Sequence, residues 1–344
     1  MTDISSLTYE ELCEFMKTLG EPEFRAKQIF EWLSKGVLSF NEMTNIPETL
    51  RTKLENIAII ATITVRKKLI DRDHTIKYLF ELCDGNLIET VVMNYKHGKS
   101  VCISSQAGCR MGCRFCASTL SGKKRDLTAG EMLLQVSYVN KENHISNVVV
   151  MGVGEPLDNY DNLIIFLKNL KDENGLNISH RHVSVSTCGL VPQINTLAKE
   201  NFQITLSVSL HAPDDMTRNL IMPVNKKYNI KELMTACDSY FEKTGRRISF
   251  EYILIKNIND TFTHAEKLSK LLKGKNCHVN LIPVNHVEER NFLPSDKHSA
   301  NHFLKTLLKN HINATMRRTL GGGINASCGQ LRSSEYKEFL KQKT

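Results

Sequence analysis

Strand-like and helix-like segments alternate along most of this 344-residue chain, from about residue 98 onward. Such alternation predicts βαβ units and a parallel sheet, arranged either as a doubly wound sheet or as a barrel. Polar and glycine-rich segments follow the predicted strands, which is where an α/β barrel carries its active site. The predicted strands are 100–104, 147–151, 182–187, 204–209, 248–255, 278–283 and 312–316.

The first sixty residues have the pattern of short helices. Thr8-Tyr9-Glu10-Glu11 has the form of a capping box and predicts a helix that runs to Gly20. A second helix is predicted after Pro22, with Phe24 in its apolar stripe, and a third after Pro47. Residues 1–60 are therefore expected to form a helical accessory domain. Its basic side chains suit either a solvated surface or RNA binding.

A β-hairpin is predicted next along the chain. The alternating segments 75–82 and 87–93 flank Asp84-Gly85, a strong turn signal. Residues 61–95 are thus expected to link the helical domain to a main domain over 96–344.

Charge and composition limit the class of protein. Lysine and arginine number 45 against 37 acidic residues, which gives a net charge of +8. This moderate surplus is compatible with a phosphate-bearing partner. The chain lacks an 18-residue apolar run and a secretory signal pattern, so a cytoplasmic protein without a membrane span is expected.

Three of the ten cysteines form a closely spaced motif. Cys109, Cys113 and Cys116 give C-x3-C-x2-C in the loop after the first predicted barrel strand. Three thiolates at this spacing can ligate an iron–sulfur cubane and leave its fourth iron open. Structural zinc normally needs four protein ligands, and the chain has no second C-x2-C. The cluster is therefore favoured over zinc and over unrelated buried cysteines.

Longer stretches around the cysteines carry a family resemblance. They are Ser104-Ser105-Gln106-Ala107-Gly108-Cys109, Cys116-Ala117-Ser118-Thr119, Lys124-Arg125-Asp126-Leu127-Thr128-Ala129-Gly130-Glu131, Gly152-Val153-Gly154-Glu155-Pro156-Leu157 and Cys328-Gly329-Gln330-Leu331. With them the chain resembles radical S-adenosylmethionine (SAM) enzymes, and closely resembles the RlmN family of RNA adenine-C2 methyltransferases. The resemblance implies an α/β fold, namely a partial (β/α) radical-SAM barrel with a small N-terminal helical domain and a linking β-hairpin.

The resemblance also implies cofactors and the residues that bind them. One [4Fe–4S] cluster would be held by Cys109, Cys113 and Cys116, and two SAM molecules would be used per turnover. The segments that match SAM contacts in the family contain Gly154, Glu155, Ser186, Ser209, Leu210, His211 and Asn285. Without the family, a lone histidine such as His211 is more often structural, and Gly152-Val153-Gly154 lacks the third glycine of a dinucleotide fingerprint.

Three further residues match catalytic positions of the family. Cys328 would accept a methyl group and become S-methylcysteine, Cys102 would resolve the RNA adduct through a transient disulfide, and Glu89 would accept a proton. Read without the family, Cys102 suits a small buried residue in a strand and Glu89 an exposed carboxylate. Relatives usually carry an acidic residue where this chain has Gly323, which puts the anchoring of the Cys328 loop in question.

The implied substrates are adenosine 2503 of 23S rRNA and adenosine 37 of certain tRNAs. A one-electron reductant such as flavodoxin and a monomeric protein are expected. Basic residues that include Lys27, Lys35 and Arg51, with Lys123-Lys124-Arg125 and Arg317-Arg318, are candidates for phosphate contacts. The alternatives are a Cfr-type C8 methyltransferase acting on the same rRNA adenosine, a non-catalytic RNA-binding protein with a cluster, and a zinc-dependent RNA-binding module.

Overall fold

The computed structural model describes residues 1–96, 98–285, 289–318 and 320–324. Its α-helices are α1 (Tyr9–Thr18), α2 (Glu23–Ser34), α3 (Glu48–Ile57), α4 (Ala129–Asn143), α5 (Tyr160–Lys171), α6 (Val191–Leu197), α7 (Asp215–Ile221), α8 (Ile230–Thr244), α9 (Phe262–Leu272) and α10 (Lys297–Lys309). None of these helices is long and apolar enough to cross a membrane.

The strands fall into one large sheet and two short ribbons. They are β1 (Thr2–Asp3), β2 (Ala58–Ile59), β3 (Ile63–Ile70), β4 (Ile76–Leu82), β5 (Leu87–Tyr95), β6 (Gly98–Ile103), β7 (Gln106–Ala107), β8 (Arg125–Asp126), β9 (Ile145–Val150), β10 (Val183–Thr187), β11 (Thr205–Ser209), β12 (Ile248–Leu254), β13 (Cys277–Pro283) and β14 (Ala314–Met316). The pairs β1–β2 and β7–β8 stand apart from the ten-stranded sheet.

The predicted N-terminal helices are confirmed. Thr8 caps α1, and its hydroxyl accepts a hydrogen bond from the Glu11 amide while the Glu11 carboxylate accepts one from the Thr8 amide, so both otherwise unpaired donors are satisfied. The three helices bury their own apolar cluster, which includes Leu12, Ile29 and Leu54. Phe24 was expected in that stripe but is exposed, so this detail was wrong.

The ten-stranded sheet has a parallel half and an antiparallel half. Its strand order is β14-β13-β12-β11-β10-β9-β6-β5-β4-β3, and neighbours are parallel from β14 to β6 and antiparallel from β6 to β3. Apolar residues of α4, α5, α6, α8, α9 and α10 pack with the sheet in one core. Each predicted strand of the parallel half is confirmed to within two residues at either end, which confirms the α/β class.

The segment 61–95 supplies three strands to this sheet, one more than the predicted hairpin. Strand β3 carries Arg66-Lys67-Lys68 and lies at the sheet edge, where lysine is common because charge prevents pairing with another chain. Those charges break the apolar alternation from which a strand is predicted. The division into 1–60, 61–95 and 96–344 stays a prediction.

Candidate active site at the carboxyl ends of the parallel strands

The cysteine motif lies in a loop that β7 and β8 close by pairing antiparallel. Gly108 has a φ of +86°, and a Cβ there would collide with the carbonyl oxygen of Gly122, so only glycine fits. The Cys116 amide donates to the Cys113 carbonyl oxygen at 3.1 Å. The Thr119 hydroxyl donates to the carbonyl oxygens of Cys113 and Cys116 at 3.2 and 2.9 Å. These bonds fix the backbone that carries two of the three thiols.

All three thiols line one cavity of about 120 Å³. Burial raises the pKa of Cys109 to about 12 and raises the pKa values of Cys113 and Cys116 as well. The metal-free thiols are therefore protonated at neutral pH, and a bound metal centre would supply the positive charge that makes them thiolates.

The described residues contain no group of three His, Cys, Asp or Glu side chains placed to hold a single metal ion. A cubane cluster needs a wider spacing of its ligands than a single ion does, because each thiolate binds its own iron atom and the sulfurs only surround a shared space. Three thiols on the wall of one cavity meet that demand. The donor set thus fits an iron–sulfur cluster.

Gly154 and Glu155 follow β9 and join two loops of the site. A Cβ at Gly154 would lie 2.7 Å from the Ser105 hydroxyl and from the Gln106 side chain, so the close approach needs glycine. The Glu155 carboxylate is buried and accepts hydrogen bonds from the Cys188 amide at 2.7 Å and the Leu157 amide at 3.1 Å. Burial raises the pKa of Glu155, against the lowering effect of the bond from Cys188.

The other expected SAM contacts divide into cavity-lining and buried residues. Ser186, Ser209 and His211 line the small cavity and also a larger neighbouring one of about 270 Å³, whose wall includes Asn285. Leu210 is fully buried and is not among the residues that line either cavity. Its carbonyl oxygen accepts a hydrogen bond from Arg218.

His211 is held as a neutral ring. Its Nδ1 accepts the Ile253 amide at 3.1 Å, so the ring proton is on Nε2. Its edge-to-face contact with Phe115 has a centroid distance of 4.9 Å. Burial and the Arg218 charge lower the pKa of His211 to about 3. The ring is thus bound as a structural histidine is, and it also lines both cavities.

The antiparallel half brings Glu89 and Cys102 to one face of the sheet. Val91 pairs directly with Lys77 on one side and with Cys102 on the other, so the three side chains share that face. Glu89, two residues before Val91, points the same way. Glu89 is 3% exposed and its carboxylate lies 3.5 Å from the Lys77 ammonium. The expectation of an exposed carboxylate was wrong, because the expected end of a hairpin is the interior of a sheet.

Cys102 is buried beside the larger cavity. It packs with Val91, Met93 and Leu320, and these three side chains line that cavity. Arg317 and Arg318 are part of the same wall. The face that carries Glu89 and Cys102 therefore adjoins the space next to the three thiols.

Cys328 lies outside the described residues, but part of the segment that precedes it is anchored. The Gly321 amide donates to Asp73 at 2.8 Å and the Gly323 amide donates to Asp71 at 3.0 Å. A Cβ at Gly323 would lie 2.7 Å from the Asp71 carboxylate. Acidic groups from the β3–β4 turn therefore lie next to Gly323, and a side chain at this position would displace the Asp71 carboxylate.

Two buried cations in the site were missed by sequence reasoning. Lys77 is fully buried in β4, and its only sequence signal is a charged residue inside an apolar alternating segment. Arg218 is fully buried in α7, and nothing in its local sequence distinguishes it from a surface arginine of an amphipathic helix.

The basic side chains expected to contact phosphates are partly used within the protein. Arg51 donates to the Asn41 carbonyl oxygen, while Lys123 and Arg125 form ion pairs with neighbouring carboxylates. Lys27 and Lys35 are exposed. The expectation that these side chains contact phosphates stays a prediction.

Two family models match the chain. The Radical SAM superfamily model matches residues 103–290, and the ribosomal RNA large subunit methyltransferase N-terminal domain model matches residues 2–60. The first match contains the three cysteines of the motif and every expected SAM contact.

Curated relatives and a solved structure agree with these models. A probable dual-specificity RNA methyltransferase RlmN from Lachnoclostridium phytofermentans is 53% identical over 99% of this chain and 97% of its own length. The protein of that name from Alkaliphilus oremlandii is 54% identical over 96% of this chain and 97% of its own length. The crystal structure of a radical SAM methyltransferase from Sphaerobacter thermophilus is 41% identical, with a TM-score of 0.92 over 96% of this chain and 99% of that one. The predicted radical-SAM barrel is thereby confirmed, and the chain belongs to the radical SAM superfamily and, within it, to the RlmN family.

Proposed function

We propose that this protein methylates C2 of adenine in RNA, at adenosine 2503 of 23S rRNA and adenosine 37 of tRNA. The observation that carries the proposal is the cavity in which the Cys109, Cys113 and Cys116 thiols meet Ser186, Ser209 and His211. The curated relatives, which are about half identical over nearly their whole length and are named as RNA methyltransferases, support RNA methylation.

Cys109, Cys113 and Cys116 would hold a [4Fe–4S] cluster, and the cavity-lining residues Gly154, Glu155, Ser186, Ser209, His211 and Asn285 would bind SAM. Leu210, buried between Ser209 and His211, would belong to the same SAM-binding loop. When bound, the cluster supplies the electron that cleaves SAM reductively. The protein contributes a largely apolar space around these groups. Exclusion of water protects the reactive species from side reactions.

Cys328 would carry the methyl group and Cys102 would release the product. Cys328 would accept a methyl from one SAM, and a second SAM would serve to remove one hydrogen atom from that methyl so that its carbon bonds to C2. The C2 hydrogen would then leave as a proton, and one electron would return to the electron donor. The Cys102 thiolate would attack the Cys328 sulfur, and the bond from that sulfur to the methylene carbon would break with its electron pair on the carbon. That carbon takes up a proton to become the new methyl group, and the two sulfurs end as a disulfide. A one-electron reductant such as flavodoxin would supply electrons for SAM cleavage, and a thiol reductant would restore the two cysteines.

Glu89 would accept the proton that leaves C2 of the adenine. Glu89 in β5 lies on the same sheet face as Cys102 in the neighbouring strand β6. Val91 and Met93 lie on that face, pack with Cys102 and line the larger cavity. Its buried ion pair with Lys77 holds the carboxylate toward this face. A carboxylate in a dehydrated position is a suitable general base because few waters compete for it.

Anaerobic turnover with SAM, a reductant and RNA tests the proposal directly. Digestion of the RNA followed by mass analysis against authentic standards is expected to give 2-methyladenosine. Formation of 8-methyladenosine would show a Cfr-type enzyme, and RNA that stays unmethylated while SAM is cleaved would contradict the proposed substrate.

A further inference from the structure

A buried arginine lies directly behind the wall of the small cavity. Arg218 is 0% exposed and sits one turn into α7, after the loop that follows β11. Its Nη2 donates to the carbonyl oxygens of Cys188 at 2.7 Å and of Ser209 at 3.0 Å, and both of these residues line the cavity.

The other N–H groups of Arg218 also donate to uncharged acceptors. Nε donates to the Leu210 carbonyl oxygen at 3.0 Å and Nη1 to the Asn225 amide oxygen at 2.9 Å. Gly189 permits this approach, because a Cβ there would come within 3.3 Å of Nη2. The guanidinium thus ties together the loops that follow β10 and β11.

The charge of Arg218 has no direct counterion in the part of the chain that the structure describes. Its four acceptors are three carbonyl oxygens and one amide oxygen, and the ion pairs among the described residues do not include it. Asp215 is reached only through Asn225, whose amide donates to it at 2.9 Å, and Asp215 is exposed to solvent. A fully buried cation without an anion is unfavourable.

The field of Arg218 reaches the residues of the cavity. Its charge adds to burial in lowering the pKa of His211. His211 lines the cavity that the three thiols share.

We infer that Arg218 is the buried counter-charge of the iron–sulfur cluster and raises its reduction potential, while its hydrogen bonds position the two SAM-binding loops. The inference rests on the proposed cluster. Addition of one electron makes a cluster with three thiolate ligands more negative, and a nearby fixed cation stabilises that reduced state. The electron comes from the external one-electron reductant.

Substitutions that separate charge from hydrogen bonding test this role. Arg218→Gln and Arg218→Met remove the charge, whereas Arg218→Lys keeps the charge but loses the planar fork. Arg246→Met is the matched control, because Arg246 donates to the Ile204 carbonyl oxygen and the Thr205 hydroxyl at the opposite, amino-terminal end of β11. Circular dichroism of the metal-free proteins shows which variants fold. The test needs only one of the two neutral variants to be folded.

The decisive readout is the midpoint potential of the reconstituted cluster, measured by an anaerobic dithionite titration followed by electron paramagnetic resonance. At equal iron and sulfide content, the neutral variants are expected to have a more negative potential, and Arg218→Lys and Arg246→Met the potential of the unmodified protein. Arg218→Lys is further expected to bind SAM more weakly. Equal potentials in all four variants would overturn the inference. Absence of iron from the unmodified protein would instead contradict the proposed function.

Discussion

The parallel and antiparallel halves of the sheet build the site in different ways. In the parallel half, candidate residues such as Cys109, Glu155 and His211 lie in loops after strands, and each loop is a continuous sequence motif. In the antiparallel half, Lys77, Glu89 and Cys102 lie within strands and meet only through strand register. A loop can therefore be recognised from local sequence, whereas a constellation on a sheet face requires the pairing to be known.

The largest expected effect concerns the parallel half of the sheet, where the candidate residues lie in loops. Cys113→Ser is expected to abolish SAM cleavage, because the site loses a cluster ligand. Cys188→Ser is the matched control, since Cys188 lines the same cavity but lies outside the C-x3-C-x2-C motif. Iron and sulfide analysis of both anaerobically purified variants checks this. Loss of iron from both would mean that the motif does not define the ligands.

Removal of the proposed base on the sheet face has the next largest effect. Glu89→Gln is expected to slow RNA methylation by about 10²- to 10⁴-fold, the range for loss of a general base, while 5′-deoxyadenosine still forms. The control is Glu81→Gln on β4, whose carboxylate pairs with Arg66 at the sheet edge. Product analysis by mass spectrometry measures both rates. A normal methylation rate in Glu89→Gln would remove Glu89 from the mechanism.

The ion pair on the sheet face is expected to matter for stability as well. Lys77→Met leaves Glu89 buried without its cation, which costs about 3–5 kcal/mol of the free energy of unfolding. Lys68→Met breaks an exposed pair with Glu142 and should cost roughly 0.2–1 kcal/mol. Urea unfolding of the metal-free proteins compares them. Adding Glu89→Leu to Lys77→Met is expected to restore stability. If Lys77→Met and Lys68→Met lose the same free energy of unfolding, the buried ion pair of Lys77 and Glu89 does not stabilise the fold.

A smaller effect is expected where the antiparallel half meets the loop before Cys328. Gly323→Asp places a side chain against the Asp71 carboxylate and is expected to slow methylation of Cys328 roughly tenfold, equivalent to about 1.4 kcal/mol. Adding Asp71→Gly moves the carboxylate from one position to the other and should restore the rate. Single-turnover mass analysis of the protein follows the step. If Cys328 is methylated as fast in Gly323→Asp as in the unmodified protein, the contact with Asp71 has no role in this step.

The last expected effect is the acid sensitivity of the parallel half, which is small for each pH unit. The folded-state pKa of His211 is about 3, below the unfolded value of about 6.5, so the unfolded chain takes up a proton that the folded protein excludes. Stability is thus lost as pH falls from 6.5 toward 3. His211→Gln should reduce this loss by up to about 1.4 kcal/mol per pH unit. Urea titrations at several pH values measure the slope, with the exposed His298→Gln as control; an unchanged slope for both would contradict the buried neutral ring.

The sequence indicated the parallel half well and the antiparallel half poorly, for physical reasons. The parallel strands are buried and apolar, and their loops contain glycines whose backbone geometry permits few alternatives, such as Gly108 and Gly154. Strand β3 was missed because its edge position carries charge. Arg218 was missed because its burial results from tertiary packing, which nothing in the neighbouring residues reveals. Lys77 was missed because one charged residue in an alternating segment is also what an exposed strand face would show.

The most direct test of the central claim is Mössbauer spectroscopy of iron-57-labelled protein reconstituted without air, with and without SAM. If three thiols hold a cubane beside the SAM-binding loops, the spectrum of a [4Fe–4S] cluster is expected, and SAM should change the signal of one iron only. A protein that takes up no cluster, or a cluster whose iron signals are all unaffected by SAM, would contradict this account.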